Sequence, residues 1–415
     1  MKKLLTMIGA AAVAVGAYAS SINIDSVVQR WPWNNKVDIT YTVSGGQDIA
    51  REVYARIVFT ANINGTDYAI DGGSVGAEAS DGQHTVTWNP PSSLNVKSLD
   101  CTMTAQLISA EIPSGNDFMI IDLASGEVTY EGGYATITPS TNRYNTATYK
   151  TAKMVLRKIP RWNDRNVLPN ADSLPAEGYP TGYATSTYTD NVPRNWQTER
   201  DYYIGMFEVT QQQYINLGLS NPSVKTGDPL CPVENVSWYD LRRPENDTSN
   251  FAPSSSIPAV SSASGNFFQR LNYRTGLYFD LPTEMMCEIA SRAGSTDNYY
   301  WGPDFDGDYV IYQGNSGSTT WAVGSKLSND WGIYDTLGNV FEWTRDYGAL
   351  SITSTSPSSA IKSQVTGGSA NRRRLSGGAY NVAETAGSFL FKNRSQYAPS
   401  SKAAHIGFRV SLVVE

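Results

Sequence analysis

Seventeen consecutive residues, Trp331 to Tyr347 (WGIYDTLGNVFEWTRDY), set a Gly-Asn turn between aromatic and acidic side chains. Gly338 supplies the residue that takes a positive φ without steric cost. So dense a grouping is far from random composition, and it restricts the fold more than any other stretch of the chain.

At 415 residues the chain exceeds the length at which one hydrophobic core keeps growing, so two domains are expected. Charged residues make up 17% and aromatics 11%, with 25 Tyr and 10 Trp. That balance belongs to a globular chain rather than a disordered one, and amphipathic rings suit strands and binding surfaces.

The start reads as a secretory signal peptide over residues 1–19. Met1-Lys2-Lys3 precedes an apolar run from Leu4 to Ala17, and Ala17-Tyr18-Ala19 offers a small-residue cleavage site. The run is short of the roughly 20 residues that span a bilayer, so an exported protein, periplasmic or secreted, is expected, with no membrane span in the mature chain. Loss of Lys2 and Lys3 takes the formal charge from -7 to -9, which argues against a nucleic-acid partner.

Three cysteines, Cys101, Cys231 and Cys287, show no CxxC pair and no metal-ligand spacing. A disulfide scaffold is excluded. One bridge between Cys231 and Cys287, or two buried free thiols, both fit the spacing. Only two histidines occur, His84 and His405, so no polyhistidine metal centre forms. A Ser-His-Asp triad would need His405 as its base, yet no G-x-S-x-G elbow accompanies any serine. Ser376-Gly377-Gly378 lacks the Lys-Ser/Thr of a phosphate-cradling loop.

From Ile22 to about Ile137 the pattern is β. Lys36–Val43, Ala55–Ile63 and His84–Trp88 alternate apolar and polar, and Ser44-Gly45-Gly46, Asn64-Gly65 and Asp71-Gly72-Gly73 punctuate them. This predicts an antiparallel β-sandwich of immunoglobulin or fibronectin type over residues 20–143, with Trp88 as a core aromatic. The second domain, 144–415, is predicted to open with a strand at Lys153–Pro160. Residues 160–196, dense in Pro, Asn, Asp and Gly, read as a long loop. Short helices are predicted after Thr210, Ser237, Ser264 and Thr283. Asp304-Phe305-Asp306-Gly307-Asp308 carries the alternate carboxylates of a calcium loop without its later Glu, so a solvated acidic loop is expected. Overall the chain is expected to be α+β.

Six motifs follow one another in the second half: Phe207-Glu208-Val209-Thr210, Pro232-Val233-Glu234-Asn235-Val236-Ser237-Trp238, Leu281-Pro282-Thr283-Glu284, the run at Trp331–Tyr347, Ser376-Gly377-Gly378-Ala379-Tyr380 and Ile406-Gly407-Phe408-Arg409. In this order they resemble the formylglycine-generating enzyme (sulfatase-modifying factor) family over roughly residues 150–415. The resemblance implies a loop-rich fold related to C-type lectins.

What it implies for chemistry is divided. The family oxidises a sulfatase cysteine with copper held by two of its own thiolates, which as soft ligands suit copper(I). Those positions fall near Val382 and Gly387 here, and no cysteine follows Cys287. Two more family positions differ, at Ala379 and Phe341. Copper is therefore not expected. The family's calcium turn matches better: side chains at Asp335 and Glu342 and carbonyls at Gly338 and Val340 would hold calcium through hard oxygen atoms. The alternative for these residues is structural, with Asp335 capping a turn and Glu342 in a salt bridge. A second family calcium position, near Gln313 to Trp321, falls in a shortened loop and is not expected. For Arg372-Arg373-Arg374 and Arg409, structural ion pairs are expected.

Two readings follow. One is a non-catalytic binding module, with loops around Tyr179–Trp196 and Tyr299–Tyr312 recognising a peptide, protein or glycan. The other is a formylglycine-generating oxidase, or a related oxidase, whose metal ligands are not among the family's.

Overall fold

Alternation in the first quarter of the chain becomes two antiparallel sheets. The computed structural model describes residues 11–12, 21–29, 36–44, 47–48, 53–63, 65–71, 82–90, 101–109, 116–132, 142–168, 171–176, 178–182, 193–198, 200–242, 265–348, 369–385, 388–391 and 395–414. Eight strands come first: β1 (Ala11–Ala12), β2 (Ser21–Gln29), β3 (Val37–Ser44), β4 (Gln47–Asp48), β5 (Val53–Ile63), β6 (Thr66–Asp71), β7 (Gly82–Trp88) and β8 (Cys101–Ser109). One sheet has the order β1-β2-β3-β7, and the other joins β4, β6 and β8 to β5.

Period two decides what these sheets bury. Val37, Ile39, Tyr41 and Val43 point from β3 into the same core as Ile57, Phe59, Ala61 and Ile63 from β5, and the Tyr41 and Phe59 rings meet edge to face at 5.3 Å. Each buried Val, Ile or Phe among them stabilises the fold by roughly 1.5–3 kcal/mol relative to exposure. Trp88 closes this core, as its place at a strand end predicts. His84 sits in β7 against the Tyr41 ring. The unit comprises Met1–Glu111 together with Pro258–Tyr278.

The second unit, Ile112–Ile257 with Phe279–Glu415, begins earlier than the expected boundary at 143/144. Strands β9 (Phe118–Asp122) and β10 (Val128–Glu131) do not join the first sheets. Instead β9 pairs with β11 (Lys153–Ile159), Met119 lying opposite Leu156. Phe118 to Ile121 are all buried, so β9 lacks the alternation that would have revealed its partner. The strand expected at Lys153–Pro160 is therefore third in its sheet rather than first. After β12 (Tyr179–Gly182), β13 (Pro193–Trp196) and β14 (Tyr202–Gly205) come β15 (Phe341–Gly348), β16 (Ser369–Ser376), β17 (Ser395–Tyr397), β18 (Ile406–Gly407) and β19 (Ser411–Val413). They complete one sheet ordered β10-β9-β11-β14-β19 and another ordered β17-β16-β15-β18. The long segment 160–196 is not wholly irregular, since β12 and β13 pair as an antiparallel ladder.

Helix is sparse, and the fold is mostly β. Among the described residues lie α1 (Gln211–Asn216), α2 (Trp238–Arg242), α3 (Phe267–Thr275) and α4 (Glu284–Arg292). Thr210 and Gln213 form the reciprocal cap of α1, and Ser237 and Asp240 do the same for α2. Thr283 caps α4. The cap of α3 is Asn266, paired with Gln269, rather than Ser264, which lies outside the described residues. No helix among the described residues is long and apolar enough to cross a membrane. Residues 1–10 and 13–20, most of the expected signal peptide, also lie outside them.

Candidate functional site

Three residues with positive φ, Asp335 (53°), Gly338 (93°) and Asn339 (56°), shape the turn that leads into β15. Only glycine fits at 338, because a β-carbon would lie 2.6 Å from the Ile311 carbonyl oxygen and 2.8 Å from Val310 Cγ1. Backbone bonds tie the turn to two other segments. Gly338 N–H donates to Gly377 O at 2.8 Å, Asn339 N–H to Ile311 O at 2.9 Å, and Tyr380 N–H to Asn339 O at 2.8 Å.

Below the turn lies a buried charged cluster. Glu342 accepts from Arg409 Nη2 at 2.7 Å and from Nε at 3.1 Å on both oxygens. The same guanidinium donates to Gly205 O at 2.7 Å and Tyr334 O at 2.8 Å. Burial opposes the charge on Arg409, but Glu342, together with Glu208 and Asp335, raises the pKa. Asp335 accepts the Gly324 N–H at 2.6 Å, yet burial lifts its carboxyl to about 6.

Glu208 also belongs to this cluster, and sequence reasoning gave it no role. Its carboxylate accepts from Asn339 Nδ2 at 2.6 Å and from Val340 N–H at 3.0 Å, while Asn339 Oδ1 accepts the Trp321 N–H. Burial, and then the charges of Asp335 and Glu342, push its pKa well above the ordinary range. An acid at the end of the apolar run Tyr202–Phe207 was the available signal.

Asp335, Gly338 and Val340 thus lie in the turn and Glu342 in the strand that follows it, with Glu208 bonded to Asn339 and Val340. Asp335 and Glu342 supply carboxylates and Gly338 and Val340 peptide carbonyls, and both Glu342 oxygens are engaged by Arg409. Three buried acids face Arg409, with Lys150 as a further positive charge felt by Asp335. Among the described residues no three His, Cys, Asp or Glu converge as metal ligands on their own, so a cation here would need the carbonyls as well.

Val382, expected near the first of the family's two thiolate positions, is half-buried. It packs beside a cluster of Tyr299, Tyr300, Val310, Leu337, Phe389 and Phe391. Its N–H donates to Ala379 O and its carbonyl accepts from Gln313, both at 3.0 Å. Gly387 lies outside the described residues. Cys231 and Cys287 are free buried thiols, each with its pKa raised by burial. His405 is half-buried against the Tyr397 and Phe341 rings and loses basicity to burial.

The arginine run divides by position. Arg373 stacks on Trp238 at 4.6 Å and on Tyr347 at 4.4 Å, Arg374 lies 3.7 Å from Glu284, and Arg372 is exposed. Of the two loops expected to recognise a ligand, Tyr179 and Trp196 are core residues, because the β12–β13 ladder turns them inward. The other loop behaves differently. Trp301 is sandwiched between Tyr299 (4.8 Å, 8° between planes) and Tyr309 (4.9 Å, 14°). Trp301, Phe305, Tyr309 and Tyr312 remain half-exposed, and Asp304, Asp306 and Asp308 are solvated as expected.

Residues 178–413 match the family described as sulfatase-modifying factor enzyme 1-like domain. A chaperone protein LppX of Paenibacillus barcinonensis is 30% identical over 208 residues, covering 43% of this chain and 72% of the relative. The formylglycine-generating enzyme of Mycobacterium tuberculosis (strain ATCC 25618 / H37Rv) is 26% identical over 290 residues, covering 57% of this chain and 95% of the relative. Among solved structures, Treponema denticola variable protein 1 aligns with a TM-score of 0.46 at 22% identity, covering 63% of this chain and 95% of that one.

Proposed function

The chain belongs to the sulfatase-modifying factor enzyme 1-like domain family, and from that premise we propose that it serves as an exported, non-catalytic binding module. One observation carries the reading. The position matched to the family's first thiolate is Val382, packed among aromatic rings, and no cysteine follows Cys287 in the chain. A thioether-free, thiol-free apolar site has no soft ligand for copper(I).

The ring-bearing loop around Trp301 is the recognition surface, and the N-terminal unit is a β-sandwich of immunoglobulin type. Calcium, held by Asp335, Glu342 and the carbonyls of Gly338 and Val340, has a structural role. It would tie the turn to the strand that follows, while Glu208 fixes the turn through Asn339 and Val340. The relative described as a chaperone protein favours a polypeptide ligand.

The second reading, an oxidase acting on sulfatases or a related substrate, is motivated by the relative described as a formylglycine-generating enzyme. Metal analysis of the purified mature protein, together with a formylglycine assay on a Cys-x-Pro-x-Arg peptide, separates the two. Calcium without turnover is the expected result. Stoichiometric copper or peptide conversion would refute the binding-module reading.

A further inference from the structure

The aromatic face around Trp301 carries more negative charge than its own fold uses. Trp301 Nε1 donates to Asp304 O at 2.8 Å, which pins the start of the acidic loop to the edge of the ring stack. Asp306 Oδ1 accepts the Asp308 N–H at 2.9 Å, and Leu327 N–H donates to Asp308 O at 3.2 Å, so the loop has a defined shape. Gln313 N–H bonds Val382 O and brings the segment bearing Glu384 to the same face.

Asp304, Asp306, Asp308 and Glu384 are exposed, and none forms an ion pair with a described residue. Lys326, beside the loop, is already engaged: its Nζ donates to Gly307 O at 2.7 Å and lies 5.6 Å from the Trp321 ring centre. The carboxylates surround the rings. Glu384 and Asp304 act on the Tyr299 hydroxyl, and Asp306, Asp330 and Asp308 on that of Tyr309, each adding to the effect of burial in raising the pKa.

We infer that this face docks a lysine- and arginine-rich segment of a partner polypeptide. Such side chains match both halves of the surface. Their aliphatic stems lie along half-exposed rings while their charged heads meet carboxylates, and a guanidinium or ammonium also favours the aromatic edge-and-face environment. Charge complementarity selects the occupant: a neutral glycan would leave the four carboxylates unused, and a polyanion would be repelled. The inference rests on the binding-module reading and names the ligand class for its surface.

The test is fluorescence anisotropy of a fluorescein-labelled lysine-glycine repeat peptide with the full mature chain. A serine-glycine peptide and a neutral oligosaccharide serve as comparisons. Saturable binding of the basic peptide alone, weakened by added salt, is expected. The triple variant D304N/D306N/D308N should bind about tenfold more weakly, the sum of several exposed charge pairs, and E384Q more weakly by a smaller factor. Both variants keep side-chain volume and hydrogen-bonding oxygens, so unchanged circular dichroism is expected. Absence of binding, or equal binding by wild type and both variants, would overturn the inference. Binding of the oligosaccharide in place of the peptide would overturn the ligand class and leave the module reading intact, whereas formylglycine turnover would remove both.

Discussion

Arg409 and Glu342, 67 residues apart, meet in a fully buried pair in which the guanidinium also caps the carbonyls of Gly205 and Tyr334. The arginine therefore joins β14, the turn and β15 in a single contact. Removing one partner strands the other charge in the interior. Arg409→Met or Glu342→Ala should cost about 3 to 5 kcal/mol in denaturant unfolding, and the double variant less than the two losses combined.

Calcium binding should raise the melting temperature of wild type and not that of Asp335→Ala. The comparison is made in calcium and in chelator. An equal drop for the variant in both conditions would show that Asp335 acts only as a structural cap.

Gly338→Ala probes the turn without altering any charge. The positive φ and the contact with Ile311 O both oppose a side chain, and strain of this kind costs about 1–3 kcal/mol before the clash is added. A loss of roughly 3 kcal/mol is expected by equilibrium unfolding. Wild-type stability in this variant would mean that the backbone there relaxes freely.

Glu234 gives a pH dependence with a definite sign. It is buried, its Oε1 accepts the Lys225 N–H at 2.8 Å, and burial raises its pKa from 4.5 to about 6. The folded state thus holds the proton more tightly than the unfolded state, so this carboxyl's contribution grows as pH falls through 6 and is complete below 4.5. Relative to Glu234→Gln, wild type should gain about 1 to 2 kcal/mol between pH 7 and that limit. A flat difference across the range would contradict the burial argument.

Cys231 and Cys287 should stay unmodified by a thiol reagent in the native protein and react on unfolding, because both are enclosed and burial disfavours their thiolates. Peptide mapping after labelling distinguishes the two states. Labelling of either in the native state would mean that its segment opens.

Several parts of this architecture could be read from short windows of sequence. Capping at Thr210, Ser237 and Thr283 is a contest among neighbouring residues, and the alternation of β3 and β7 reports a buried face within eight residues. The order of motifs from Phe207 to Arg409 likewise marked the family. Where the signal failed, the deciding partner was distant. Strand β9 is buried on both faces, so nothing local said that it belongs with β11 rather than with the first sheets. Tyr179 and Trp196 looked like binding-loop aromatics until a ladder between them turned both inward.

By itself the sequence determined the turn at Gly338, the short capped helices and the absence of any cysteine after Cys287. Only the tertiary structure decided that Glu208 grips Asn339 and Val340 across 131 and 132 residues, that Arg409 claims Glu342, and that Val382 packs among rings. The division has a physical basis. Backbone preferences act between neighbours in sequence, whereas a buried charge or an apolar side chain is satisfied by whatever the fold brings beside it.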